Sequence, residues 1–590
     1  EPDRTVQRGA EPDRAEPDRA VQHGAESVDR PVERRGMIAP DAPTAPPGPS
    51  RRPSGAQDPQ PQPEEKGEPA VPSVARDSFA VAGWTVVSRI TGFVRVAVVA
   101  AVLGPTYLGN TFQATNLVPN LVYEFLTGSI LASLLVPPLV RSIDRGDRRA
   151  TADVAGGFLG VVTAGAALMA GLIVVGGPLL LRVFASGVAD PAVAAAQRRT
   201  GMILLALLMP QVVLYCWAGV GGAVMNAHGR FGLAAAAPAF ENFGVVLTMV
   251  FVAVRYGTKP ELLTTSNQEL VVLGIGTTAA VGLHAAAQWW GARRAGVTLV
   301  PKARWRDPEV QEAVRRIAPA LGYSGLNALR IFAVLVVANR LSGGVVAFQL
   351  ALAFFYLPVA VGARPVAVAM LPRFARLFHA EAYQELSDEI ARGLRVVLFL
   401  SVPAAVVCTV LSYPLARAVS WGAMATGAGT SLVALSLAAL GVGIVGEGLF
   451  VLSTNAAYAR GDTRTPLRSM MVRTGVALSG MVVAYLVPTG RLVLVLLGLA
   501  VSLGNILSAL HLRRATVQRL PRSRESALRP VPRLAASAAA MALVGWGVSA
   551  VVRQPQLSAV LAAALGLAAF LAVERLRRSP ELDYLMDGLR

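Results

Sequence analysis

The chain has 590 residues, of which 53% are hydrophobic and 16% charged, and its mean hydropathy is +0.50. Soluble domains carry about 25% charged residues, so this composition excludes an ordinary soluble protein and predicts a polytopic membrane protein. The net charge of +18 does not indicate nucleic-acid binding, because the basic residues lie between apolar runs, where they set membrane topology.

The amino-terminal region differs from the rest of the chain. Residues 1–78 are polar and Pro-rich, and the sequence EPDR recurs near the start. Such a segment buries too little apolar surface to fold alone, so we expect a disordered cytoplasmic tail. No removable signal peptide is expected, and Met37 is an alternative start. Residues 575–590 are expected to form a second, short cytoplasmic tail.

Apolar stretches between charged gaps predict an all-α fold with about fourteen transmembrane helices. Several stretches exceed the roughly 20 residues needed to cross a bilayer, which predicts tilt or proline kinks. We number them as spans 1 to 14: 79–103, 113–140, 154–181, 201–226, 232–254, 270–292, 317–341, 345–371, 394–414, 430–459, 470–487, 492–512, 534–552 and 557–574.

The gaps on one side, which include 141–151 and 460–473, hold about 27 Lys and Arg residues, and the opposite gaps hold about eight. The positive-inside rule therefore predicts that both termini are cytoplasmic.

A weak internal repeat suggests how the spans are grouped. The sequence NAHGRFG runs from the end of span 4 toward span 5, and NAAYARGDTR runs from the end of span 10 toward span 11. This predicts two pseudo-symmetric lobes of six helices, an arrangement typical of transporters with a central site. The predicted units are an N-lobe, a C-lobe and two additional helices, at 79–292, 293–512 and 513–574.

Span 1 carries Ser88, Arg89 and Arg95 within an apolar stretch. Ser88, Gly92 and Arg95 share one helix face. Guanidinium groups keep their charge and match phosphate oxygens, and ionisable groups inside spans by default face a cavity or a partner helix. The alternative is that one arginine extends to the lipid headgroups.

Three other spans carry candidate site residues. Asn116, Asn120 and Glu124 form one stripe on span 2, and this stripe either pairs with the span 1 arginines or lines the same cavity. Arg330 lies in span 7 and Arg364 in span 8. Together these groups predict a membrane cavity that binds phosphate or pyrophosphate.

Other polar groups have simpler interpretations. His284 and Gln288 on span 6 are best explained by an interhelical hydrogen bond, and Cys216 and Cys408 lie inside apolar runs, so neither a metal site nor a disulfide is expected. The sequence contains no P-loop, GxSxG, HExxH or CxxC motif. We therefore predict a transporter rather than an enzyme, without a cofactor, and with coupling to a cation or to the membrane potential left open.

Four motifs in this order resemble the MurJ/MviN family of lipid II flippases over about residues 79–574. They are SRITGFVR followed by GNTFQATNLVPNLVYEFL, APAFEN at 237–242, LPVAVGARPVAVAMLPRFARL at 357–377, and YARGDTRTP at 458–466. The resemblance implies a two-lobe fold with a cationic central cavity and movement of a lipid-linked pyrophosphate precursor to the outer leaflet. It also implies that spans 13 and 14 contribute to a groove for the lipid tail.

By position, Ser88, Arg89 and Arg95 match the polar motif of the family's first helix, and Pro119 and Asn120 match its Pro-Asn pair. The departures from the family pattern are a missing acid after the second arginine, a missing arginine pair after Pro-Asn, a missing acid near the start of span 2 and a missing arginine in span 8. The residues found there are Val96, Tyr123 with Glu124, Asn110, and Ala353. Arg330 and Arg364 are expected to restore positive charge.

Lipid II is therefore the expected cargo, with membrane lipids and cell-wall synthesis or division proteins as the expected partners. Three alternatives remain open at this stage. The first is a flippase for another polyprenyl-linked glycan, and the second is a cation-coupled multidrug exporter. The third is a transport-inactive scaffold for cell-wall synthesis.

Overall fold

A computed structural model describes residues 74–126, 128–303 and 308–587, and within these ranges the regular structure is helical. The tail predicted over 1–78 lies outside the described residues up to residue 73. The first half of the fold comprises α1 (Val74–Leu103), α2 (Tyr107–Leu126), α3 (Gly128–Asp144), α4 (Arg148–Phe184), α5 (Pro191–Leu208), α6 (Gln211–Ala227), α7 (Phe231–Tyr256) and α8 (Asn267–Arg294).

The second half of the fold and its carboxyl-terminal part are also built from helices. A π-helical turn, Val359–Ala363, joins α10 to α11, and a 3₁₀ turn, Gly422–Ala425, precedes α14. The helices are α9 (Pro308–Ala338), α10 (Gly344–Pro358), α11 (Arg364–His379), α12 (Tyr383–Val410), α13 (Ser412–Val419), α14 (Gly427–Gly441), α15 (Ile444–Tyr458), α16 (Arg464–Leu486), α17 (Leu492–Val517), α18 (Val531–Val551), α19 (Pro555–Leu576) and α20 (Pro580–Asp587).

The all-α membrane fold is confirmed, and the count of fourteen spans is approximate. Within the described ranges, 11 helical stretches are long and apolar enough to cross a membrane, and α14 with α15, bent by 47°, makes a twelfth. The two remaining predicted spans are 113–140, which is divided between α2 and α3, and 317–341, whose apolar part is Gly322–Ala338 in α9. Both α2 and α9 carry predicted site residues.

The packing of the helices places α1 and α2 at the centre. In the first half α7 packs along α8 and against α1, and α6 packs on α8; in the second half α17 packs on α14, α15 and α16. The two halves meet where α1 contacts α10 and where α2 contacts α9 and α10. The helices that carry Arg89, Arg95 and Arg330, α1 and α9, therefore lie at the junction of the halves.

The internal repeat is visible in the turns that precede α7 and α16. Gly229 and Gly461 adopt φ of 69° and 71°, in the left-handed region that glycine tolerates. The next residue closes each turn in the same way, since the Arg230 amide donates to Met225 O at 2.9 Å and the Asp462 amide to Ala457 O at 3.0 Å. The two turns therefore have matching backbone geometry.

One end of the junction is closed by buried amides. The Nδ2 atom of Asn110 lies 3.0 Å from Oδ1 of Asn339, which also accepts from Nε2 of Gln197 at 3.0 Å. The Oδ1 atom of Asn110 accepts the backbone N–H of Val345 at 3.0 Å, in the first turn of α10. All three amide side chains are fully buried. Because their polar groups pair with one another, the two halves are held together at this end.

The end of the chain, predicted as a tail from residue 575, is partly packed. The backbone of α19 continues to Leu576, and α20 follows. Arg533 on α18 pairs with Glu574 and with the buried Glu581 of α20. These paired charges stabilise the contact of α18 with α19 and α20. The charge pattern of the sequence alone does not reveal the pairing.

Candidate functional site

A cavity of about 300 Å³ lies where α1 meets α7 and α10, and we call it the arginine cavity. Three of the predicted site residues, all on α1, line it together: Ser88, Arg89 and Arg95. The remaining polar lining includes Glu241, Asn242 and Tyr356. The predicted face of Ser88, Gly92 and Arg95 is therefore the face that α1 turns toward this cavity.

Arg95 is held by an ion pair across the α1–α7 contact. Its Nη1 atom lies 2.9 Å from Oε1 of Glu241, and the side chains are 26% and 9% exposed, respectively. Asn242, the next residue on α7, donates from Nδ2 to Thr91 Oγ1 at 3.0 Å. The close contact of α1 with α7 thus fixes the arginine while leaving part of it open to the cavity.

Arg89 and Arg364 are more accessible. Among the described residues, neither forms an ion pair with a carboxylate, and both are exposed. They lie close enough for their charges to interact. Arg364 begins α11 directly after the π-helical turn, a local irregularity that is frequent at functional sites. These two guanidiniums are the ones best placed to accept an additional anion.

Glu241 joins the arginine cavity to a second cavity. Its Oε1 also accepts from the Tyr215 hydroxyl at 2.9 Å, and its Oε2 lies 3.1 Å from Nδ1 of His284. The interhelical hydrogen bond expected for His284 is therefore present. His284, Tyr215, Tyr123 and Gln288 line a cavity of about 480 Å³, which we call the histidine cavity.

The carboxylate of the α2 stripe contacts α9 rather than the span 1 arginines. Glu124 accepts from Nδ2 of Asn327 at 3.3 Å, and Asn327 Oδ1 accepts from Nη2 of Arg330 at 2.9 Å. Asn120 lies near the Tyr215 side chain, and Asn116 is half-buried. The carboxylate that pairs with span 1 is Glu241, and Glu124 connects α2 with α9 instead.

Arg330 occupies a separate cavity of about 230 Å³ that shares Ala353 and Tyr356 with the arginine cavity. Arg330 is only 4% exposed, and its charge is repelled by that of Arg473. Arg473 falls both in the predicted gap 460–473 and in the predicted span 470–487, and the structure supports the span, because Arg473 is buried in α16 and paired with Glu447 of α15. The signal for it was the repeat, since Arg473 stands as far beyond Gly461 as Glu241 stands beyond Gly229.

Comparison with known proteins gives a family for this arrangement. The sequence profile described as Lipid II flippase MurJ matches residues 99–564. The chain belongs to the lipid II flippase MurJ family. A probable lipid II flippase MurJ of Rhizobium tropici is 27% identical over 412 residues, covering 68% of this chain and 74% of the relative. The lipid II flippase MurJ of Burkholderia cenocepacia is 24% identical over 400 residues, covering 67% and 75%.

Solved structures agree on the fold. A lipid II flippase MurJ in an inward closed conformation has a TM-score of 0.66 at 16% identity, covering 88% of this chain and 100% of that chain. An inward-facing multidrug resistance MATE family transporter of the MOP superfamily has a TM-score of 0.58 at 14% identity, covering 75% and 98%. Identities this low establish the shared fold, while the membership in the MurJ family comes from the sequence match.

The departures from the MurJ pattern are distributed over the site. Ala353 lines both the arginine cavity and the Arg330 cavity, and Val96 lines the latter. Tyr123 lies against Tyr215 with ring centroids 5.5 Å apart. Asn110 belongs to the buried amide contact that closes one end of the junction. Apart from Glu124, which accepts a hydrogen bond from Asn327, the residues at these departures are neutral groups that pack or form hydrogen bonds.

Proposed function

We propose that this chain moves lipid II, the undecaprenyl-pyrophosphate-linked peptidoglycan precursor, from the inner to the outer leaflet by alternating access. The observation that carries this proposal is the arginine cavity, in which Arg89 and Arg95 lie together at the junction of the two halves. Arginine forks match the oxygens of a pyrophosphate. Family membership supports the same cargo.

In this proposal Arg89 and Arg364 bind the incoming pyrophosphate and Arg95 holds it in the cavity. Ser88 and Asn120 provide hydrogen bonds, whereas Asn116 and Glu124 face the path between α2 and α9. Arg330 is buried against Arg473, so it supplies positive potential rather than direct contact. The double variant Arg330→Ala/Arg364→Ala tests this division of roles: binding of a pyrophosphate analogue at wild-type affinity would refute it.

An apolar groove supports a lipid-linked cargo. It has a volume of about 690 Å³ and lies between α12 and the helices α18 and α19. Its lining is almost entirely apolar and includes Phe399, Pro403, Met541, Leu567 and Phe570. A polyprenyl chain gains free energy by burying its apolar surface on such a lining. We assign the groove to the undecaprenyl tail.

Transport requires both openings of the cavity. The amide contact of Asn110, Gln197 and Asn339 lies at the end that the charge pattern predicts to be external, so the described conformation is closed outside. The two halves are those predicted as 79–292 and 293–512. In alternating access this contact breaks, and the cytoplasmic ends of the two halves close together. A cargo drives this exchange only by binding the two conformations with different affinities.

The remaining assignments follow from this function. We place the chain in the bacterial cell membrane with both termini in the cytoplasm and with membrane lipids around its spans. Its role is transport without covalent chemistry, and its cytoplasmic tails are the expected contact sites for cell-wall synthesis or division proteins.

Complementation tests the function directly. A host depleted of its own lipid II flippase is made to express this chain, and growth is followed together with lipid II exposure at the outer leaflet. The wild type is expected to restore both, and Arg89→Ala and Arg95→Ala are expected to lose both. Arg255→Ala is the matched control, because Arg255 is an exposed arginine at the far end of α7. Good expression without rescue by the wild type would refute lipid II as the cargo.

A further inference from the structure

Glu241 lies between the arginine cavity and the histidine cavity. One carboxylate oxygen accepts from Arg95 and Tyr215, and the other faces His284. The side chain is 9% exposed, so its negative charge depends on these partners rather than on solvent. A change of charge on one side of Glu241 must therefore be compensated on the other side.

We propose that Glu241 and His284 form a proton-binding site that is linked to the cargo, so that binding of the pyrophosphate at Arg95 is accompanied by uptake of a proton at His284. The inference rests on the proposed function, since it takes the anion in the arginine cavity to be the pyrophosphate. It adds to that function a second ligand, the proton, and a coupling residue, His284.

At Arg95 the cargo and Glu241 compete for one guanidinium. Arg95 is partly open to the arginine cavity while it pairs with Glu241, so a pyrophosphate in that cavity competes with the carboxylate for the same guanidinium. Binding weakens the Arg95–Glu241 pair and brings further negative charge close to Glu241. The buried carboxylate then requires positive charge from another source.

The histidine side supplies that charge. When Glu241 is ionised it can only accept, so Nδ1 of His284, at 3.1 Å, must carry the hydrogen. The added proton therefore enters at Nε2, on the opposite edge of the ring, and converts the imidazole into an imidazolium. The imidazolium then places a positive charge beside the carboxylate, with Nδ1 at 3.1 Å from Oε2 of Glu241, and replaces the charge that Arg95 withdraws.

The histidine cavity gives the proton a route. It extends from His284 to Asn226 and Phe231, which flank the α6–α7 turn on the predicted cytoplasmic side. Gln288, one helical turn beyond His284, also lines it, and its buried Oε1 has no hydrogen-bond donor among the described residues. This oxygen can accept from a water chain that leads to Nε2.

The groups that contact His284 come from two neighbouring helices. Glu241 is contributed by α7 and Tyr215 by α6, with ring centroids 6.5 Å apart, and Arg95 of α1 acts through Glu241. Where α5 meets α8, one contact is a hydrogen bond between the neutral Leu207 and Thr278. Among these described contacts the charged groups are one carboxylate and one arginine, and withdrawal of the arginine leaves the carboxylate to favour protonation.

Titration calorimetry of the full chain in nanodiscs measures this linkage. Lipid II is injected in two buffers with different ionisation enthalpies, and the difference in heat gives the number of protons taken up. A pyrophosphate diester stays ionised over this range, so the ligand itself takes up no proton. We expect net proton uptake near neutral pH and an affinity that weakens about tenfold from pH 6 to pH 8, because linkage is reciprocal.

Variants assign the proton to its site. His284→Gln is expected to bind lipid II without proton uptake and with an affinity that changes less than about twofold over the same range. His511→Gln is the matched control, because His511 is hydrogen-bonded to Ser469 in the second half of the fold, and it should keep the wild-type pH dependence. Arg95→Gln tests the competition, since it should bind more weakly and take up no proton.

The possible failures are distinguishable. Wild-type protein that binds lipid II without proton uptake overturns the linkage and leaves the flippase function standing. Wild-type protein that does not bind lipid II refutes the proposed cargo. If His284→Gln keeps the wild-type uptake, the proton binds elsewhere and the assignment to His284 is wrong. If a variant fails to fold, the proton uptake measured for the wild-type protein still decides whether cargo binding and proton binding are linked.

Discussion

The two halves of the fold contain the same turn and place opposite charges after it. Counted from Gly229 and Gly461, Glu241 in α7 corresponds to Arg473 in α16. Glu241 pairs with Arg95, whose side chain is 26% exposed to a cavity, whereas Arg473 and its partner Glu447 are 5% and 9% exposed. The repeat has therefore preserved the backbone while the electrostatics diverged.

This difference separates an exchangeable ion pair from a structural one. The pair in the first half borders a cavity, so an incoming anion can replace the carboxylate as the partner of Arg95. The pair in the second half is sealed, and Arg473 also stacks over Phe450, with its guanidinium carbon 5.2 Å from the ring centroid. A buried ion pair is costly to break because the remaining charge stays unsolvated.

The largest expected effect comes from breaking the sealed pair. Glu447→Ala leaves Arg473 buried beside Arg330, two like charges without a carboxylate between them, and should destabilise the protein by about 3–5 kcal/mol. Thermal unfolding of detergent-purified protein measures the loss. Glu241→Ala is the matched variant in the first half and should cost less, since Arg95 can turn toward its cavity. Equal losses in the two halves would contradict the comparison.

A double-mutant cycle sharpens the same contrast. Removing both charges in Glu447→Ala/Arg473→Ala should recover about 1–3 kcal/mol of the loss seen for Glu447→Ala alone. The corresponding cycle with Glu241→Ala and Arg95→Ala should give a smaller interaction energy, because solvent in the cavity screens that pair. Both energies are obtained from unfolding midpoints, and a larger value in the first half would reverse our assignment of the structural pair.

Tyr215→Phe tests the hydrogen bond that supports Glu241. It removes one donor at 2.9 Å from a buried carboxylate and should lower the free energy of unfolding by about 1–2 kcal/mol. Tyr413→Phe is the control, since Tyr413 is 53% exposed. An unchanged stability of Tyr215→Phe would mean that Glu241 obtains enough stabilisation from Arg95 and His284.

The smallest effect is expected at the turns themselves. Asp462 accepts from the Thr465 amide at 2.9 Å, whereas Arg230 at the equivalent position caps α7 with no side-chain bond. Partial burial by itself raises the pKa of Asp462, but hydrogen bonds from Thr465 and the charge of Arg460 lower that pKa overall. Its ionised form therefore stabilises the fold above the unfolded pKa of about 3.9.

Asp462→Asn should consequently cost about 0.5 kcal/mol or less at pH 7, since asparagine caps helices almost as well as aspartate. The difference from wild type should vanish as the pH falls below the lowered pKa of Asp462. Unfolding midpoints at a series of pH values measure this, and a difference that grows toward acid pH would contradict the sign. Arg230→Gln should show no such pH dependence.

Part of the candidate site could be predicted from the sequence because the free-energy cost of a charge inside a span depends on that segment alone. An arginine inside an apolar span is unfavourable unless it faces a cavity or a partner, and this identified Arg89 and Arg95 without knowledge of the fold. The helical period also placed Ser88, Gly92 and Arg95 on one face. The same reasoning did not single out Arg473, which lies where a predicted basic gap and a predicted span overlap.

Partners in space were beyond the reach of the sequence. The stripe on α2 left open whether Glu124 pairs with α1 or lines the cavity, and only the packing of α1 against α7 assigned Glu241 to Arg95. Glu241 stands 146 positions from Arg95 in the chain, and no local pattern relates them. The contact of Asn110 with Asn339 also joins residues that are far apart in the chain.

The sequence by itself determined that this is an all-helical membrane protein with cationic groups inside its spans, because the bilayer imposes length, apolarity and charge asymmetry on each segment separately. The tertiary structure alone decided which charges share a cavity, which pair is sealed, and which end of the junction is closed. Those properties depend on distances between helices that pack together, and such distances follow from the whole set of packing contacts rather than from any single segment.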